Sequence, residues 1–241
     1  MNNEINNETR LREAFVRAVT EQVGTGVYVW GGNGELLDTM SDPIAWIERH
    51  ETSAANAARA IRLYERRKRE GVQNLRAFDC SGLVYWALKN LGVQNTDVSS
   101  RGLYGLSQPI KEDELMPGDL VFHHDGTQIV HVGVCVGNEQ VECKGRDEGV
   151  VKNARRKGYW NRFGRLLKLG ADVPSPVVTV RGGSVRVREG DGTSTRCIGI
   201  VHKGERYSLI GTAPSGWYRI AWRGTEAYIT NSPRYTEVSY G

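Results

Sequence analysis

Leu11, Phe15, Val16 and Val19 recur at helical spacing, so residues 9–23 are expected to form an amphipathic helix. The pattern then changes. "GTGVYVWGGNGE" is a short apolar stretch broken by glycines, which reads as a strand ending in tight turns. Asp42-Pro43 supplies an N-cap with proline at the first helical position, and Ile44, Ile47, Ala57, Ile61 and Tyr64 keep helical spacing until Gly71. Thr52-Ser53 is where that run divides into two helices, and "ERRKRE" at 65–70 reads as a solvated helix face rather than a nucleic-acid contact. Leu83, Val84, Ala87, Leu88 and Leu91 predict a buried helix over 80–91, stopped by Gly92.

After a loop-rich segment the period shortens. "LMPGDLVFHH" and "IVHVGVCVGNEQVECKG" read as strands, the second as two strands around Gly137-Asn138. Helices first and antiparallel strands after make an α+β order. "LGADVPSPVV" at 169–178 breaks the pattern with two prolines and small polar residues, and short β-rich pieces separated by turns follow it. The expected organisation is a first domain over 1–170 with a helical insertion at about 42–71, a linker over 171–176, and a small barrel or sandwich over 177–241.

Composition narrows the picture only a little. Charged residues are 25% and hydrophobic ones 39% of 241, an ordinary balance for a globular chain. No apolar run approaches the length needed to span a membrane. The N-terminus lacks the pattern of a secretory signal, so export by that route is not expected. The net charge of +4 lies wholly beyond residue 176, where nine Lys/Arg face five Asp/Glu. That excess is too modest to argue for nucleic acid. Cys80, Cys135, Cys143 and Cys197 show no disulfide framework, and His131, Cys135 and Cys143 match no usual zinc spacing. No cofactor is called for.

Cys80 stands apart from the other three. It opens a helix, where the dipole and unpaired N–H groups favour a thiolate and can receive an oxyanion. A thiolate attacks carbonyl carbon when a histidine holds its proton and later delivers it to the leaving amine. Among five histidines, His131 sits in a strand beside Gly133, so its ring would project from a rigid sheet. Glu142 and Cys143 are candidates to orient the imidazole. An even hairpin loop puts Glu142 on the face of His131, an odd one Cys143, and a carboxylate is the better orienter. Helix-start cysteine, strand histidine and polar third residue follow the papain-like plan.

Together "YVWGG" at 28–32, "FDCSGLVYWAL" at 78–88, "MPGDLVFHH" at 116–124 and "HVGVCVGNEQVECKG" at 131–145 resemble the NlpC-type cell-wall cysteine peptidases. The resemblance implies a papain-like α+β fold and hydrolysis of peptide bonds in bacterial peptidoglycan, typically between γ-D-glutamyl and a diamino acid. It maps Cys80 to the nucleophile and His131 to the base. "VECKGRD" at 141–147 is similar to a variant that carries glutamate as third member, which points to Glu142. Tyr28, Asp79 and Ser81 match positions that line the pocket for a substrate's free amino end. Their plainer readings are a core tyrosine, a helix N-cap and a first-turn serine. Val185–Arg188, Lys203-Gly204-Glu205 and Gly216-Trp217-Tyr218 resemble bacterial SH3-like domains, which bind wall or shape a substrate groove. The resulting expectation is a monomeric peptidoglycan endopeptidase with no nucleic-acid or membrane partner. Its setting is that of a phage or prophage lysin, cytoplasmic until release. An amidase or an acyltransferase using the same Cys-His pair is the alternative, and an inert binding module is disfavoured because both residues are present.

Overall fold

α1 (Asn2–Thr20) opens the structure, a computed structural model that describes residues 2–94, 96–166, 176–213 and 215–240. The chain divides into two compact units, one of residues 1–88 and 94–171, the other of 89–93 and 172–241.

In the first unit β1 (Gly26–Tyr28) and β2 (Asn33–Leu36) do not pair with each other. Both pair with β3 (Arg76–Phe78), β1 in parallel and β2 antiparallel. Between them in sequence lie α2 (Pro43–His50) and α3 (Ala54–Arg69), separated at Thr52-Ser53. Asp42 caps α2 by accepting from the Ala45 amide at 2.9 Å, and Ser53 caps α3 by accepting from Asn56 at 3.2 Å. These helices belong to the core. Ile47, Ala60, Leu63 and Tyr64 pack with Val27, Val29, Leu75 and Ala77 in one buried cluster. Each large aliphatic side chain so buried contributes about 1.5–3 kcal/mol. The 65–70 run is not uniformly solvated, because Arg67 is buried and donates to the carbonyls of Gly26 and Glu148.

α4 (Cys80–Asn90) follows β3 directly, and α5 (Ser100–Gly105) interrupts what reads in the sequence as loop. A six-stranded antiparallel sheet completes the unit. Its order is β4 (Ser107–Pro109), β9 (Arg162–Leu166), β5 (Leu120–His124), β6 (Ile129–Val136), β7 (Glu139–Gly145) and β8 (Gly149–Ala154). Asp119, fully buried just before β5, holds α1 to this sheet. It accepts from Arg12 at 2.9 Å and from Arg165 at 3.0 and 2.8 Å. Burial alone would raise the Asp119 carboxyl, but bonds from Arg165, the Met116 amide and Arg12 hold it below the usual range.

The second unit is all β. Its strands are β10 (Pro176–Val180), β11 (Ser184–Arg188), β12 (Cys197–His202), β13 (Arg206–Thr212), β14 (Tyr218–Trp222), β15 (Thr225–Ile229) and β16 (Thr236–Tyr240). They form one sheet in the order β12-β11-β15-β14-β13-β10-β16 around Val178, Val187, Val201, Ile220 and Ile229. No pairing among the described residues joins β12 to β16, so the expected barrel is not closed by hydrogen bonds. The expected linker needs trimming too: residues 171–175 lie outside the described residues, and Pro176 already begins β10. Proline is tolerated there because it is a strand's first residue.

Candidate active site

β3 runs without a turn into the first residue of α4, and this junction places the thiol. Asp79 caps the helix: Oδ1 accepts from the Gly82 amide at 2.7 Å and Ser81 Oγ at 3.0 Å, while Oδ2 accepts from the Gly31 amide at 3.0 Å. The amides of Cys80 and Ser81 lead the helix and have no intrahelical acceptor. The helix start lies hard against the 29–33 loop. A Cβ on Gly82 would stand 1.8 Å from the Gly32 carbonyl oxygen, so only glycine fits.

His131 comes from β6 and Glu142 from β7. The hairpin between them is the two-residue turn Gly137-Asn138, with Val136 opposite Glu139 and Val134 opposite Val141. That even loop sets Glu142 on the face that carries His131. The His131 Nε2–H donates to Glu142 Oε2 at 2.7 Å, and Glu142 is fully buried. Gln140 Nε2 donates to Glu142 Oε1 at 3.2 Å, and Arg156 lies 3.8 Å from the same oxygen. The imidazole stacks on Trp160, with centroids 5.5 Å apart and planes 21° from parallel. Its other nitrogen is free of Glu142, and the Cys80 thiol lies close enough to favour the protonated ring. Burial disfavours the imidazolium here. The neighbouring Cys80 and the bonded Glu142 outweigh that and push His131 from 6.5 up to about 9.

Cys143 occupies the opposite face of β7. It is buried, and its thiol donates to the Phe78 carbonyl at 3.3 Å. Burial, then the neighbouring Cys80 and Asp79, push that thiol up, so it stays protonated. Cys135 is also buried and Cys197 lies in the second unit, leaving Cys80 as the half-buried thiol beside a histidine. The other histidines have local partners. His50 stacks on Trp46, and His123 stacks on Tyr159 while its Nδ1–H donates to that residue's carbonyl at 2.8 Å.

Tyr28 arrives through the parallel pairing that sets it beside Phe78, immediately before Asp79 and Cys80. Burial, reinforced by Cys80 and Asp79, pushes its phenol up, so it remains a hydrogen-bond donor. Ser81 is buried against Asp79. The Arg146 guanidinium lies over the Tyr28 ring, 4.8 Å from its centroid. Glu51, between α2 and α3, holds that guanidinium at 2.9 and 2.7 Å and accepts from the Trp30 amide at 3.2 Å. Sequence reasoning missed Gln140, Trp160, Glu51 and Arg146. Strand alternation reaches Gln140, two residues before Glu142; no local signal reaches the others.

Comparison with known proteins matches residues 24–166 to the NlpC/P60 family model. The bifunctional muramidase/DL-endopeptidase CwlT of Bacillus subtilis (strain 168) is 35% identical over 96 residues, 37% of this chain and 29% of that protein. The murein DD-endopeptidase MepH of Escherichia coli (strain K12) is 37% identical over 91 residues, 35% of this chain and 33% of that protein. The chain thus spans about a third of these curated relatives. A solved P60 domain, from the M. avium subspecies paratuberculosis antigen MAP1204, aligns at a TM-score of 0.46 and 23% identity, over 66% of this chain and 97% of that one.

Proposed function

Because the chain belongs to the NlpC/P60 family, we propose that it is a cysteine endopeptidase of bacterial peptidoglycan, acting on the stem-peptide bond between γ-D-glutamyl and a diamino acid. One observation carries the reading: a single imidazole is hydrogen-bonded to a buried carboxylate and lies close enough to the helix-start thiol for the two to act on each other. The names of the relatives, both including wall endopeptidases, support the substrate class.

In the proposed reaction the Cys80 thiolate attacks the scissile carbonyl carbon. The oxyanion that forms is received by the leading amides of α4. The His131 imidazolium gives its proton to the departing amine, leaving a thioester. Neutral His131 then takes a proton from water, hydroxide adds to the thioester, and the sulfur departs as thiolate. Glu142 holds the tautomer and offsets the positive ring throughout. Tyr28, Asp79 and Ser81 are assigned to a substrate ammonium, Asp79 doing so with lone pairs beyond those used in capping.

Digestion of purified peptidoglycan followed by fragment masses tests this. Wild-type protein should release fragments cut within the stem peptide, and Cys80→Ser should release none. Equal release by Cys80→Ser, or cuts at sugar linkages, would remove the assignment. The second unit is proposed as an SH3-like wall-adhering module in a phage-type lysin, a role its excess of basic residues suits. Deleting 177–241 should weaken sedimentation with intact walls, and unchanged sedimentation would exclude that role.

A further inference from the structure

α3 turns a row of four arginines away from the core. At 100° per residue, Arg59, Arg62, Arg66 and Arg69 fall within an arc of about 80°. With Leu63 and Asp147 they line a cavity of about 280 Å³. Only one carboxylate lines it. Asp147 is taken by Arg59, whose Nε lies 3.0 and 3.1 Å from its two oxygens and whose Nη2 lies 2.5 Å from Oδ2. Arg66 reaches the Asp147 backbone carbonyl at 3.4 Å, and Arg69 comes only within 3.9 Å of Glu65. Arg62 makes no hydrogen bond or ion pair among the described residues.

The helix by itself explains only part of this row. Like charges three and four residues apart destabilise a helix. The helix dipole favours cations only in the last turn, which accounts for Arg66 and Arg69 but not for Arg59 and Arg62. The row spans about 15 Å along the axis, with the Cβ atoms of successive arginines about one helical turn, roughly 5–6 Å, apart. Planar forks at that repeat suit a chain carrying one phosphate per short unit. The cavity lining includes no aromatic ring. A groove for single-stranded nucleic acid adds aromatic platforms on which bases stack.

We propose that this groove binds a linear phosphodiester polymer without bases, carried on the bacterial wall; the wall location rests on the hydrolase reading above. Asp147 directly follows Arg146, so the polymer lies beside the turn whose arginine covers Tyr28. Binding there would hold the enzyme on polymer-bearing wall.

The test uses the full chain and soluble poly(glycerol phosphate), with affinity measured by calorimetry across a salt series. Wild-type protein should bind with a steep salt dependence. Arg62→Glu/Arg66→Glu should bind at least tenfold more weakly, and its log–log salt slope should flatten by about 1.4, as expected for two lost phosphate contacts on a flexible strand. Arg62→Gln should weaken binding in the same direction. Both arginines are exposed, so the circular dichroism spectrum should not change, and loss of the favourable last-turn charge at Arg66 should lower the melting temperature by only a few degrees. The proposal is overturned if the double variant binds like wild type, or if single-stranded oligo(dT) binds as tightly as the glycerol polymer. Because the readout is binding, it stands or falls separately from any failure to cleave stem peptides.

Discussion

Replacing Glu142 by Gln keeps the side chain's shape and removes its charge. The carboxylate is fully buried, 2.7 Å from His131 Nε2 and 3.2 Å from Gln140 Nε2. A charge-assisted hydrogen bond of this kind is worth about 1.5–3 kcal/mol. The amide also creates a conflict, since either orientation points its NH2 at a donor, Gln140 on one side or His131 on the other. At about 1.4 kcal/mol per tenfold, kcat/KM should fall roughly 10- to 150-fold. The pH profile reports the same loss. With His131 raised to about 9, its stabilisation is complete below about 6.5 and disappears as pH rises through about 9. Wild-type activity should therefore decline on an alkaline limb near 9. In Glu142→Gln burial still opposes the imidazolium while one of its two supports is gone, so the limb should move down toward 6.5. The assay is kcat/KM on a soluble stem peptide from about pH 5 to 10, with Cys143→Ala as a control from the other strand face. A Glu142→Gln limb still near 9, with kcat/KM within about twofold of wild type, would refute the orienting role.

Two further substitutions test the scaffold. Asp119→Asn leaves Arg12 and Arg165 facing a neutral group and should cost about 3–5 kcal/mol in urea unfolding; a loss below about 1 kcal/mol would mean the cluster is idle. Because the folded Asp119 carboxyl lies below its ordinary 3.8, its contribution is present above that pH and is lost as pH falls through the lowered value, so the variant's deficit should shrink in acid. Gly82→Ala must displace either α4 or the Gly32 carbonyl and should lower kcat at least tenfold, whereas wild-type turnover would show that the contact yields easily.

The sequence signals that proved legible are local ones. Asp42-Pro43 and Ser53 start their helices because a cap is a contact between residues three apart. Parity of the Gly137-Asn138 turn is enough to put Glu142 rather than Cys143 on the side of His131. What was hidden depends on contacts made across long stretches of chain. Trp160 sits in a polar, turn-like segment, and only the folded sheet brings its ring under His131. The 65–70 run looks uniformly hydrophilic, yet Arg67 is buried because two distant backbone carbonyls, one at the start of β1 and one in the turn before β8, receive it. α5 is six residues long and carries too few apolar positions for a period to show. The C-terminal strands are recognisable from their turns, but whether such a sheet closes depends on end-strand pairing that alternation does not encode.

The α2–α3 segment is tied to the site at two levels. Its inner face shares a core with β1, through Ile47, Leu63 and Tyr64 against Val27 and Val29. Its inter-helix corner supplies Glu51, whose buried carboxylate joins the Trp30 amide to Arg146 and so fixes the guanidinium over Tyr28. A lysine at 146 would not serve, because Nε and Nη2 both reach one carboxylate oxygen while the planar face of the group lies on the phenol ring. Tyr28 in turn feels the charges of Cys80 and Asp79. The segment that carries Tyr28 and Trp30 is therefore packed by apolar side chains of α2 and α3 and held by the Glu51 carboxylate between them. A change that loosens α2 or α3 should reach the Tyr28 side of the thiol without touching His131 or Glu142, because those two residues are held by the hairpin of the other sheet.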